Sequence, residues 1–285
     1  LTAPIDIRTD IEYAVHGGQA LRGKLYAPAG GTTRATCPVV IAVHGGGWQG
    51  GTPDNYQYLG PWLASHGIAL MAITYRLAKV GQKSFPEAVH DVRAAVQYVK
   101  GNAATLGIDP ARIALMGDSA GAHLAALVAL GGDHPNFAEG TRGEPHGDLS
   151  TKVKVVVGVY GVYDLYRQWQ GDLSARPRDS ITEKFLGVSA IDDKRVYFDA
   201  SPLSYISGKD NGTAFYLAWG TDDDVVDPAS QSEAFLLALK QAGHFVRTAI
   251  FPGAPHFWAA DPPEDIGGFS AGFAMRMLRF LQTRL

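Results

Sequence analysis

Continuous apolar runs alternate with helically spaced apolar positions along most of this chain. The runs fall at residues 38–43, 68–74, 112–116, 153–160, 213–219 and 245–251. Short unbroken runs of this kind are expected of strands buried on both faces, as in parallel sheets. Between them, apolar positions at 3.6-residue spacing predict helices over 56–65, 86–107, 122–130, 228–243 and 272–285. In the second of these, Ala88, Val89, Val92, Ala95, Val96 and Val99 form one face, and a proline opens the first turn. Residues 5–27 read differently, alternating polar and apolar around Gly17-Gly18, which predicts an antiparallel hairpin. Loops are expected at 28–36 and 131–151, and residues 161–208 read as an irregular, aromatic-containing insertion. Strands alternating with helices imply an α/β fold: a mostly parallel sheet with helices on both faces. The whole chain, 1–285, reads as one such domain.

Composition changes this picture little. With 46% hydrophobic and 19% charged residues in 285, the chain has the makings of a substantial core. A net charge of −3 and the absence of long like-charge runs argue against a nucleic-acid footprint. No apolar stretch approaches the roughly 20 residues of a membrane span. The single cysteine, Cys37, is expected to be a small packing residue beside a strand. The nine histidines show neither H-x-H nor H-x-x-x-H spacing, so neither a zinc site nor another cofactor is expected. The chain opens on Leu1 rather than Met, as a trimmed or a mature chain would, and no signal peptide is visible. A lone cysteine fits a cytoplasmic enzyme and a secreted bacterial one equally. Nothing in the sequence sets an oligomeric state.

The chemistry gathers at strand ends. Gly117-Asp118-Ser119-Ala120-Gly121 stands between a buried run and a helix, where a serine is forced into a tight turn with its hydroxyl exposed. His44-Gly45-Gly46-Gly47-Trp48 follows another buried run, and three glycines there let backbone N–H groups converge on one point. Acyl transfer needs such a point for its oxyanion, and losing one donor typically costs about 2.7–4 kcal/mol. Downstream, Gly220-Thr221-Asp222-Asp223-Asp224-Val225-Val226-Asp227 offers four acids between a strand and a helix. His256 lies just past the next strand, whereas His244 enters that strand from the opposite edge of the sheet. Serine, acid and histidine thus occur in α/β-hydrolase order, with Ser119 as nucleophile and His256 as base.

HGGGW, GDSAG, G-x-x-D-x-x-V and the late P-H-F together make the chain, from Pro38 onward, similar to the serine esterases of the α/β-hydrolase fold. It resembles hormone-sensitive-lipase-like carboxylesterases and the feruloyl/acetylxylan (BD-FAE-like) group. Matched residue by residue, the resemblance implies Asp223 as the triad acid, with Asp222 and Asp224 as the alternatives in the same turn. It also implies Gly46, Gly47 and Ala120 as backbone donors to the oxyanion. Two features depart from the hormone-sensitive lipases. Only 43 residues precede His44, too few for their N-terminal helical cap, and the acid lies in GTDDDVV rather than D-P-L-x-D. Both point toward feruloyl/acetylxylan-like or arylformamidase-like relatives and away from long-chain lipases.

The expected reaction is hydrolysis of short-chain or aromatic carboxylic esters, small-molecule substrates, through an acyl-enzyme. Its rate should fall at acid pH, because His256 must be neutral to accept a proton. Residues 161–208, inserted after the sixth strand, are expected to form a small cap carrying the substrate preference. Tyr160, Tyr163, Tyr166 and Trp169 are candidates for the pocket wall; Trp48 and Trp258 flank the motifs and are candidates to touch substrate. His44 is expected to orient the glycine loop, His123 to be a hydrogen-bonded core residue, and Asp91 and Asp109 to serve helix and turn geometry. Three other readings remain: a feruloyl/acetylxylan esterase acting on plant polysaccharide, an arylformamidase-type amidase using the same triad, and a non-catalytic binding protein, which complete Ser, Asp and His positions disfavour.

Overall fold

A computed structural model describes residues 4–29 and 36–285. Most of the expected loop at 28–36 lies outside them. The hairpin forms from β1 (Ile5–His16) and β2 (Gln19–Pro28), joined by Gly17-Gly18. Then come β3 (Cys37–Val43), α1 (Leu59–Ser65), β4 (Ala69–Ile73), α2 (Glu87–Gly101), α3 (Ala103–Leu106) and β5 (Ile108–Asp118). The helix expected over 86–107 is therefore two, parted at Asn102. Helix α4 (Ala120–Gly131), the short α5 (Pro135–Ala138) and β6 (Val155–Val159) follow.

The eight strands form one sheet in the order β1-β2-β4-β3-β5-β6-β7-β8, with β7 at Ala214–Gly220 and β8 at Val246–Phe251. Among the described strands β2 alone runs opposite to the other seven. From β3 the chain first steps one way to β4, then recrosses to β5 and moves steadily the other way. Right-handed crossovers at such a reversal put α1 on one face and α2 and α4 on the other. Strands β4, β6 and β7 are buried at every residue, which is why they read as unbroken apolar runs. This is the α/β-hydrolase fold.

The segment expected to be irregular is helical. It contains α6 (Leu165–Ala175), α7 (Ile181–Leu186) and α8 (Lys194–Ala200), and leaves the sheet at the carboxyl end of β6. Each helix starts on a side chain that accepts from the backbone: Asp164 from Arg167 N, Ser180 from Glu183 N, Asp193 from Arg195 N and Val196 N. Helix α9 (Ala234–Gln241), entered through a π-helical turn, precedes β8, and α10 (Phe269–Arg284) closes the chain against β6, β7 and β8. No helix among the described residues is long and apolar enough to cross a membrane. Cys37 is half-buried, and burial pushes its thiol pKa up.

Asp91 departs from its expected role. It sits inside α2, fully buried, and takes Arg76 Nε and Nη2 at 2.7–3.0 Å and His16 Nδ1 at 2.5 Å. It thus ties α2 to the hairpin and to Arg76 rather than shaping a helix end. Asp109 does accept from Ala111 N at 2.9 Å, as a turn residue would.

Candidate active site

Ser119 stands between β5 and α4 with φ 51° and ψ −119°, a conformation costly for any residue with a side chain. Packing enforces it. A Cβ on Gly121 would lie 1.9 Å from the Val43 carbonyl oxygen, so the turn after Ser119 can press on β3 only if that residue is glycine. Ser119 N–H donates to Val159 O at 2.9 Å, and Ser119 O accepts from His123 N at 3.1 Å. The hydroxyl is thereby held at the carboxyl edge of the sheet.

His256 Nε2 lies 3.0 Å from Ser119 Oγ, and His256 Nδ1 lies 2.7 Å from Asp223 Oδ2. With Nδ1–H donating to the carboxylate, Nε2 is left as an acceptor for the serine proton. The second oxygen, Asp223 Oδ1, accepts from Val225 N at 3.0 Å and Val226 N at 2.9 Å. Both oxygens are therefore engaged and the carboxylate cannot swing. All three side chains are buried. Asp222 and Asp224 are exposed, and Asp222 bonds Thr221 Oγ1 instead.

The glycine loop lies beside this line. Gly46, Gly47 and Trp48 take φ of 117°, 59° and 58°, and a Cβ on Gly46 would meet Gly50 O at 2.4 Å. The N–H groups of Gly46, Gly47 and Ala120 have no partner among the described residues. Ala120 opens α4, so its N–H lies at the positive end of a helix dipole. His44 Nδ1 bonds Gly45 O at 2.8 Å and its ring stacks on Tyr75, which donates to His44 O. Burial lowers the His44 pKa.

Two supports escaped the sequence reading. Asp118, beside Ser119, accepts from Gly45 N at 3.1 Å and Tyr56 Oη at 2.9 Å, bracing the glycine loop on the elbow. Burial raises its pKa, while the hydrogen bonds from Tyr56 and Gly45 oppose the rise. The Asp in G-D-S-A-G was a visible signal for this brace; nothing in the sequence marked Tyr56. His123 is the buried, hydrogen-bonded histidine expected: it accepts from Trp48 Nε1 at 3.1 Å and donates to Ala200 O at 2.8 Å. Burial takes its pKa down to about 4.

Of the six aromatic side chains offered as candidates for the pocket wall or for substrate contact, only Tyr160 packs on His256, with ring centroids 4.4 Å apart. Trp48 is buried, its indole N–H spent on His123 and its ring stacked on Phe185. Tyr163 stacks on Phe235 under β6, and Trp169 donates to Glu183. Trp258 packs behind Tyr160 against Phe251 and Phe273. Tyr166, half-buried, stacks on Trp169. These rings are engaged with the fold itself. Two apolar groups not singled out by the sequence also lie beside these motifs: Phe257, exposed and against His256 at 4.3 Å, and Ile181 of α7, whose Cγ2 lies 3.0 Å from where a Cβ on Gly47 would be.

Comparison with known proteins agrees with this architecture. The BD-FAE family model matches residues 24–239. Esterase LipQ of Mycobacterium tuberculosis is 34% identical over 223 residues, 77% of this chain and 50% of LipQ. A probable isoprenylcysteine alpha-carbonyl methylesterase, ICMEL1 of Oryza sativa, is 31% identical, covering 77% of this chain and 50% of its own. The chain spans about half the length of the curated relatives it matches. Among solved structures, apo Thermogutta terrifontis esterase 2 superposes with a TM-score of 0.75 at 23% identity, covering 99% of this chain and 96% of that one. At that identity the likeness is one of fold. Family match, fold and strand-edge motifs converge: the chain belongs to the BD-FAE family of α/β-hydrolase esterases.

Proposed function

We propose that this chain is a serine carboxylic-ester hydrolase working through an acyl-enzyme. The observation that carries the reading is the buried line from Ser119 Oγ through His256 to Asp223, at 3.0 and 2.7 Å, beside unpartnered backbone N–H groups. His256 Nε2 takes the proton as Ser119 Oγ adds to the ester carbonyl. The new oxyanion is received by the N–H groups of Gly46, Gly47 and Ala120. Collapse breaks the bond to the alkoxy oxygen, and His256 returns the proton to it, so the alcohol leaves neutral. Water then adds to the acyl-enzyme by the same route, releasing the acid and restoring Ser119. Asp223 keeps the imidazole in its Nδ1–H form and stabilises the imidazolium.

Residues 161–208 act in this reading as a cap on the acyl side. Ile181, set against Gly47 at the start of α7, narrows the room beside the oxyanion site and favours short or flat acyl groups. The test is a panel of p-nitrophenyl esters of increasing chain length, methyl ferulate, acetylated xylan and N-formylkynurenine. Turnover should peak at short or aromatic acyl groups and vanish in Ser119→Ala. A peak at twelve or more carbons would overturn the acyl preference; a preference for N-formylkynurenine would make the enzyme an amidase; turnover retained by Ser119→Ala would refute the nucleophile.

A further inference from the structure

Phe257 follows directly on His256 and is out of keeping with its surroundings. His256 and Trp258 on either side are buried, yet Phe257 is 64% exposed. Its φ is 68°, a left-handed conformation that bulky residues rarely adopt. Its ring stands nearly perpendicular to the imidazole, at 85° and 4.3 Å between centroids. Folding gains little from such a residue. Most of the ring remains in water, and the backbone conformation is unfavourable for a side chain of this size. A polar residue, or glycine, would suit the turn better. The backbone twist that buries His256 and Trp258 thus also carries an apolar ring outward at the face of the base.

The chemistry at His256 decides what that ring meets. In acylation the imidazolium returns its proton to the oxygen of the departing alcohol. That oxygen must then lie within hydrogen-bond reach of Nε2, and the group it carries projects along the imidazole rim. The acyl group lies toward Ser119 and the glycine loop instead. We infer that Phe257 is a specificity-determining residue for the alcohol half of the ester, selecting aromatic or bulky apolar alcohols by contact with its exposed ring. This rests on the ester-hydrolase reading above. It adds that substrates carry an apolar alcohol group, a property separate from any acyl preference. Buried Trp258, next in the chain, has no such access.

Acetates of benzyl alcohol and methanol test this directly, because the two alcohols leave with similar ease and yield the same acetyl-enzyme. Hydrolysis of that shared intermediate cannot sense the alcohol, so a contact with Phe257 acts in acylation, which kcat/KM reports whichever step limits turnover. The ratio of kcat/KM for benzyl over methyl acetate should fall about five- to ten-fold in Phe257→Ala and be largely restored in Phe257→Leu. A damaged histidine loop would lower both esters together and leave the ratio unmoved, as would a ring with no contact to substrate; either outcome overturns the proposal. Thermal melting of each variant keeps loss of fold separate from loss of selectivity. Absence of turnover on both acetates by the unsubstituted protein would instead sink the ester-hydrolase reading itself.

Discussion

Two imidazoles among the described residues are buried with Nδ1 against a carboxylate, and only one of them faces a serine hydroxyl. His256 lies on Asp223 at 2.7 Å, and His16 lies on Asp91 at 2.5 Å. The pairs differ in what surrounds them. Asp223 is held by two backbone N–H groups and meets no Lys or Arg among the described residues, and His256 Nε2 points at Ser119 Oγ. Asp91 also binds the Arg76 guanidinium, and His16 Nε2 lies 2.7 Å from Glu144. The hydrogen bond to Asp91, helped by Glu144, raises the pKa of His16 against the cost of burial. One arrangement leaves the far nitrogen beside a hydroxyl; the other sets it beside a second carboxylate, in a charged clamp between the hairpin and α2. A His–carboxylate pair is therefore no mark of catalysis until the far nitrogen is accounted for.

The largest separation between the pairs is expected in rate. Ser119→Ala should lower kcat by about 10⁴- to 10⁶-fold, and Asp223→Asn by about 10³- to 10⁴-fold, in a p-nitrophenyl acetate assay. Asp91→Asn should act on stability instead. Breaking a buried charge pair typically costs about 3–5 kcal/mol, and Arg76, partly open to water, puts this case at the lower end. Urea unfolding should record that loss, while kcat/KM of the folded variant stays within about three-fold. A large rate loss from Asp91→Asn would erase the distinction between the pairs.

Smaller effects follow from pH. The His123 imidazole, with its pKa at about 4 when folded against 6.5 when unperturbed, contributes stability that is complete above pH 6.5 and lost as pH falls toward 4, at most about 3 kcal/mol. Unfolding free energies at pH 7 and pH 5 should therefore converge in His123→Asn. His16 has the opposite sign. Its raised pKa makes its contribution complete below pH 6.5 and lost as pH rises through the folded value. His16→Gln should flatten the alkaline side of the stability profile; an unchanged slope there would mean the clamp holds without the imidazolium.

How much of this was legible depended on the length scale of the signal. The strands of the sheet were readable because both of their faces are buried, leaving runs such as Val155–Val159 with no polar interruption. Chain order alone singled out Ser119, His256 and the acid turn, since a parallel sheet delivers the ends of β5, β7 and β8 to one edge. The helices α6 to α8 were missed because each is short and mixed in composition. Their starts were nevertheless written in the sequence: Ser180-Ile181-Thr182-Glu183 has the S-x-x-E spacing of a capping box. For the candidate pocket aromatics the signal was of another kind. Nearness in sequence to a motif does not say which way a side chain points. Left-handed residues at Trp48 and Phe257 redirect the chain there, burying Trp48 and Trp258 and exposing the Phe257 ring.

The claim that Ser119 is the nucleophile is tested most directly by intact-mass and peptide analysis after exposure to a fluorophosphonate. A single adduct should form, on the peptide carrying Ser119, and none should form in Ser119→Ala. Labelling of a different residue, or no labelling of a folded protein, would contradict the account.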